Sequence, residues 1–122
     1  MKKVAIQGIA GSFHDIAAKN YFKGEKIEII PCNTFKEVFA AIKKDNSIIG
    51  FIAIENTIAG SLLQNHNLLK DSGLKVVGEY KLRIEHSLVA LRGQTINDIS
   101  KVYSHPIALM QCEDFLLANP HL

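Results

Sequence analysis

Ile48-Ile49-Gly50-Phe51-Ile52-Ala53-Ile54 runs directly into Glu55-Asn56-Thr57-Ile58-Ala59-Gly60-Ser61. Seven residues with no charge and a single glycine read as a strand buried on both faces, the habit of a parallel sheet covered by helices. A carboxylate placed at once after such a strand is costly unless it is paired, caps a helix or serves a function. Two readings of Glu55 follow. It or Asn56 caps the next helix, or Glu55 is a catalytic or positioning group tuned by partial burial.

Working outward, Lys3 to Gly8 is a second short apolar run ending in glycine, again a buried strand. Ser12 follows as an N-cap with Asp15 at the capping-box position, and Ile16, Ala17 and Phe22 give an apolar face up to Lys23-Gly24. Lys26-Ile27-Glu28-Ile29 alternates as a strand with one exposed face. Thr34 and Glu37 form a capping box before Phe35, Val38, Phe39 and Ile42, a helix over 34 to 45. After the 48 to 54 run, Leu62, Leu63, Leu68 and Leu69 mark a third helix closed by Ser72-Gly73. The order β-α-β-α-β-α predicts a mainly parallel sheet with flanking helices, an α/β fold, with Val4, Ile6, Ile49, Phe51 and Ile52 in its core. Beyond residue 73 the pattern changes. Leu74 to Ile84 and His86 to Leu91 read as extended, Thr95 to Ile99 as a helical turn, Lys101 to Tyr103 as a short strand, and Pro106 to Ala118 as a helix with proline in its first turn.

Composition is that of an ordinary globular chain, 48% hydrophobic and 21% charged. A net charge of +2, with basic residues scattered, gives no ground for a nucleic-acid partner. No run reaches the ~20 apolar residues that span a bilayer, so no membrane partner is expected. The Met1-to-Gly8 segment is too short in its apolar part for a signal peptide, and the expected location is cytoplasmic. Cys32 and Cys112 stand far apart, outside any CxxC pair, and read as free buried thiols. His14, His66, His86 and His121 show no metal-ligand spacing, and no metal is expected.

Three places share one feature, a strand that ends where a helix opens: Gly8 to Phe13, Glu55 to Ser61, and Ser104 to Pro106. Ligands of open α/β sheets bind beyond the carboxyl ends of strands, where helix N-termini favour anions. Gly8-Ile9-Ala10-Gly11 matches neither the dinucleotide fingerprint nor a phosphate loop, and is either a tight turn or an anion seat. Ser104 could cap the last helix. His105 before Pro106 reads as a turn residue, and Gln111 lies beyond capping range.

These residues carry a resemblance. Gly8-Ile9-Ala10-Gly11-Ser12-Phe13, Ile54 to Ser61, and Val102-Tyr103-Ser104-His105-Pro106-Ile107-Ala108-Leu109-Met110-Gln111-Cys112 resemble, in order, the three leading motifs of the prephenate dehydratases. The resemblance implies a two-lobed domain similar to type II periplasmic binding proteins, with residues 1–80 as first lobe and 81–122 as the start of an incomplete second lobe. It implies decarboxylation and dehydration of prephenate to phenylpyruvate, in phenylalanine synthesis, without a cofactor, and a homo-oligomer in the full-length protein. Arogenate is an alternative substrate, and a non-catalytic small-anion binding module an alternative class. Catalytic-site positions carried over are Glu55, Ser104 and Gln111, for which binding and orienting are the first roles. Substrate-binding positions are Gly11, Ser12, Asn56, Thr57 and Ser61. The family's Thr-Arg-Phe segment, its usual proton-donor candidate, does not occur in these 122 residues. The chain is therefore expected to be a fragment of a longer enzyme, and the three turns are expected to converge on one cleft.

Overall fold

The computed structural model describes residues 1–56 and 60–122. They divide into two compact units, one of Met1–Asn56 with Ser61–Arg83, the other built on Ile84–Leu122.

In the first unit, β1 (Lys2–Gln7) is followed by α1 (Phe13–Tyr21), β2 (Ile27–Cys32), α2 (Phe35–Lys44) and β3 (Ile49–Phe51). The sheet order is β2-β1-β3. Both ladders are parallel: Lys2 to Gln7 lie against Ile27 to Cys32, and Val4, Ala5 and Ile6 against Ile49, Gly50 and Phe51. The expected parallel α/β arrangement is thus the one formed. Pro31 falls in β2, an edge strand, where its missing N–H removes nothing from a second ladder.

Strand alternation divides the core in two. Val4 and Ile6 pack with Ala18 and Phe22, flanked by Ile27, Ile29, Ile49 and Phe51. Ala5, between them, points to the opposite face and packs with Cys32, Val38 and Ile42, flanked by Ile30, Ala41, Ile48 and Ile52. Ile49, Phe51 and Ile52 are only half buried. The second face explains Gly50. A Cβ there would lie 2.6 Å from Ile42 Cδ1 and 3.3 Å from Val38 Cγ1, so glycine is what lets α2 sit on the sheet.

The apolar run from Ile48 to Ile54 was expected to be strand throughout, but the strand is three residues long. The reason lies in its partner. Gly8 takes φ +111 and ends β1, so Ile52 to Ile54 has no neighbouring strand to pair with. Short strands β4 (Glu55–Asn56) and β5 (Gly60–Ser61) precede α3 (Leu63–Ser72), which ends on Gly73 at φ +70. The N-cap of α3 is Leu62, with no side-chain hydrogen bond, so neither Glu55 nor Asn56 caps it.

Leu74 to Ile84 and His86 to Leu91 form no ladder among the described residues, and the strand expected at Lys101 to Tyr103 does not form. Without a ladder partner, alternation alone does not make a strand. In the second unit, Thr95 and Asp98 build a capping box around one 3-10 turn at Ile96–Asp98. The single helix expected from Pro106 to Ala118 is two, α4 (Pro106–Gln111) and α5 (Glu113–Ala118), interrupted at Cys112. Cys112 is half buried rather than buried, while Cys32 is buried; both are free thiols.

Replacing Gly50 by valine should overpack the α2 face of the sheet. We expect urea denaturation to show a loss of about 1–3 kcal/mol, with parallel-sheet circular dichroism retained.

Candidate functional site

The Gly8–Asp15 turn is organised by one carboxylate. Ser12 caps α1, its hydroxyl accepting from the Asp15 N–H at 3.3 Å. Asp15 Oδ2 in turn accepts from the Gly11 N–H at 2.8 Å and pairs with Lys19 at 3.0 Å. Asp15 is 3% exposed. The Gly11 hydrogen bond holds its carboxyl below the usual 3.8; burial opposes this and Lys19 adds to it. Gly8 donates to Cys32 O at 2.8 Å, and a Cβ on Gly8 would stand 2.9 Å from Ser12 Oγ. The N-terminus of α1 was read as an anion seat or a tight glycine turn. Within the chain, the Asp15 carboxylate takes the Gly11 N–H at that positive end.

The same helix reaches the 52–56 segment. His14 Nε2 accepts from the Ala53 N–H at 3.2 Å, and the ring meets Phe35 edge-on at 5.4 Å. Burial lowers the His14 pKa from 6.5, favouring the neutral ring that can accept. From α3, Asn65 Nδ2 donates to Ala53 O at 2.7 Å. The Leu62 N–H donates to Ile54 O at 2.8 Å, closing the base of the loop that begins at Glu55. Glu55 itself is exposed, so the buried carboxylate implied by its apolar approach does not arise. Thr57 lies outside the described residues, as do the side chains of Asn56 and Ser61.

In the second unit, α4 is capped by His105 and not by Ser104. His105 Nδ1 accepts from the Ile107 N–H at 3.1 Å, and Ser104 is exposed one residue upstream. Gln111 was read as beyond capping range. It is half buried, and its Oε1 accepts from His86 Nε2 at 2.6 Å. Among the described residues no group of three His, Cys, Asp or Glu could hold a metal ion, and no helix is long and apolar enough to cross a membrane.

Three polar residues escaped the sequence reading: His14, Asn65 and His86. Two carried a signal. His14 shares a helical stripe with Ala17 and Ala18, and Asn65 lies between Leu62 and Leu69 on α3. The expected apolar face of α3 is displaced accordingly: Leu63 is 69% exposed and Asn65 only 1%. A polar residue on an apolar stripe marks a buried hydrogen bond to be found.

The chain belongs to the prephenate dehydratase family, whose model matches residues 4–122. It is 38% identical over 114 residues to arogenate dehydratase/prephenate dehydratase 2 of Arabidopsis thaliana, covering 93% of this chain and 29% of that protein. It is 35% identical over 115 residues to the bifunctional chorismate mutase/prephenate dehydratase of Buchnera aphidicola, covering 93% and 30%. A solved structure described as GqqA, a novel type of quorum quenching acylase, superposes with a TM-score of 0.73 at 32% identity, over 95% of this chain and 42% of that one. The parallel sheet with flanking helices is thus of the periplasmic-binding-protein-like α/β class. The chain spans less than half the length of each of these proteins.

Removing the Asp15 carboxylate should loosen the first turn. We expect Asp15→Ala to lose about 1–3 kcal/mol in urea denaturation near neutral pH, because the Gly11 N–H is left unpaired. The folded-state pKa is depressed, so the contribution is complete above the unfolded value and fades as pH falls through the folded one. Wild type and variant should therefore converge in stability as pH drops below 3.8.

Proposed function

We propose that this chain supplies the leading part of a dehydratase acting on prephenate in phenylalanine synthesis, in the cytoplasm and within a homo-oligomer. The observation that carries the reading is the family match running through all three motifs, from residue 4 to residue 122. Residues 1–80 and 81–122 are assigned to two lobes. Glu55, Ser104 and Gln111 bind and orient the substrate, joined by Gly11, Ser12, Asn56, Thr57 and Ser61.

The chemistry asks little of such a site. The bond between ring and carboxylate breaks, and its electron pair enters the ring. The ring C–O bond breaks at the other end, and the departing hydroxyl takes a proton to leave as water. Carbon dioxide, water and phenylpyruvate result, and aromatisation drives the step. The protein must hold the cyclohexadiene still and deliver one proton. Gln111 is suited to the first task, because its bond to His86 fixes the amide. Glu55, exposed in β4, is placed to meet a ligand's hydroxyl. Names of the plant relatives include arogenate, which favours arogenate as a second substrate to be tested alongside.

Phenylpyruvate formation near neutral pH, corrected for the spontaneous acid-promoted reaction, tests the proposal. These 122 residues should turn over prephenate about 10²–10⁴-fold more slowly than a full-length relative, since Thr-Arg-Phe is not among them. In a longer polypeptide continuing through that segment, Glu55→Ala and Gln111→Ala should each lower the rate without loss of fold. Relative-like turnover by the 122 residues would move the proton donor to Glu55. A longer polypeptide inactive on both prephenate and arogenate would sink the dehydratase reading.

A further inference from the structure

We propose that His14 and Asn65 are positioning residues: they grip the backbone of Ala53 from both sides and thereby set the direction in which Glu55 leaves the sheet. The inference rests on the reading of Glu55 as a site residue. Its geometric basis is independent of any substrate. Sheet pairing holds β3 only as far as Phe51. Past that point the backbone needs other partners, since an unpaired buried N–H or C=O is costly. Ala53 finds them in two side chains. His14 Nε2 accepts from its N–H at 3.2 Å, and Asn65 Nδ2 donates to its C=O at 2.7 Å. One side chain comes from α1 and the other from α3, so the segment is tied to two helices that lie on either side of it along the chain.

Scale decides why this matters. Extended chain advances roughly 3.3 Å per residue, so Glu55 stands about 7 Å beyond the gripped residue. Slack at Ala53 passes toward the carboxylate through Ile54, whose C=O accepts from the Leu62 N–H at 2.8 Å. Misplacing a reacting or orienting group by about 1 Å can cost ~10²-fold in rate.

The grip also has a chemical condition. An imidazole accepts at Nε2 only when neutral, with its proton on Nδ1. The groups shown against the ring are the Phe35 side chain of α2 and the Ala53 N–H. Burial alone, with no charged neighbour among its causes, lowers the His14 pKa. Acid should protonate the ring, turn its acceptor into a donor facing another donor, and release Ala53. The folded-state pKa is depressed below 6.5, so the stabilisation is full above that value and lost as pH falls through the folded pKa.

The test is amide NMR on the 15N-labelled 122-residue chain. His14→Phe keeps an aromatic ring without the acceptor, and Asn65→Leu keeps bulk without the donor. His14→Gln returns an acceptor. We expect hydrogen exchange at Ala53 to quicken by ~10-fold or more in His14→Phe, with Val4, Ala5 and Ile6 unchanged, and with His14→Gln recovering protection. The Glu55 amide signal should move in His14→Phe and in Asn65→Leu. Should either variant fail to fold, the unaltered chain decides. On acidification its Ala53 and Glu55 amide signals should titrate with the midpoint of the His14 ring carbons. Unchanged Ala53 exchange in His14→Phe, a Glu55 signal that stays put while Ala53 moves, or amides that ignore the His14 midpoint would each overturn the inference. None of these readings involves turnover. Failure of the dehydratase reading would leave the grip measurable, and failure of the grip would leave phenylpyruvate formation to be judged separately.

Discussion

Burial of one strand on both sides is the constraint from which the first unit follows. β1 is central, and Val4, Ala5 and Ile6 are each fully buried. Val4 and Ile6 face α1 and Ala5 faces α2, so the two helices must lie on opposite faces of the sheet. Burying a Val or Ile side chain is worth about 1.5–3 kcal/mol, and neither face could supply that without its helix. Small residues set the helix approach: Ala18 on one face, Gly50 on the other. The exposed ion pairs of Lys2 with Glu25 and Lys3 with Asp45 add little beside this, since pairs in water contribute roughly 0–1 kcal/mol.

The end of that strand has as much consequence as its middle. Gly8 turns the chain at a positive φ, stops the ladder, and leaves room for Ser12 to cap α1 beneath it. Asp15, in the first turn of α1, then accepts from the Gly11 N–H. Past the ladder, Ala53 takes its hydrogen bonds from side chains of α1 and α3, and Ile54 O accepts from the Leu62 N–H. The segment bearing Glu55 is thereby part of the helices' framework more than of the sheet's.

Much of this was legible in residue order. The parallel sheet was legible from the alternation of strand and helix patterns, and the caps at Ser12 and Thr34, the Gly73 stop and the Thr95 turn rest on interactions within a few residues, which local patterns encode. The family motifs at 8–13, 54–61 and 102–112 were likewise present as strings. Other features were not legible for identifiable reasons. The 48–54 run looked like seven residues of strand because apolarity reports burial and does not report whether a partner strand reaches that far. Leu74 to Leu91 alternates well enough, yet forms no ladder within the described residues. Ser104 looked like the cap of α4 until His105, one residue closer, took the Ile107 N–H.

By itself, then, the sequence determined the fold class, the order of elements, the family and the positions where strands give way to helices. Each depends on side-chain period or on short-range chemistry. Tertiary structure alone decided that His14 and Asn65 meet at Ala53, 39 and 12 residues away along the chain, and that His86 meets Gln111 across 25. The first two pairings depend on where α1 and α3 come to rest in the first unit. That is fixed by the packing of Val4, Ala5, Ile6 and Gly50, and no local pattern around a histidine or an asparagine can express it.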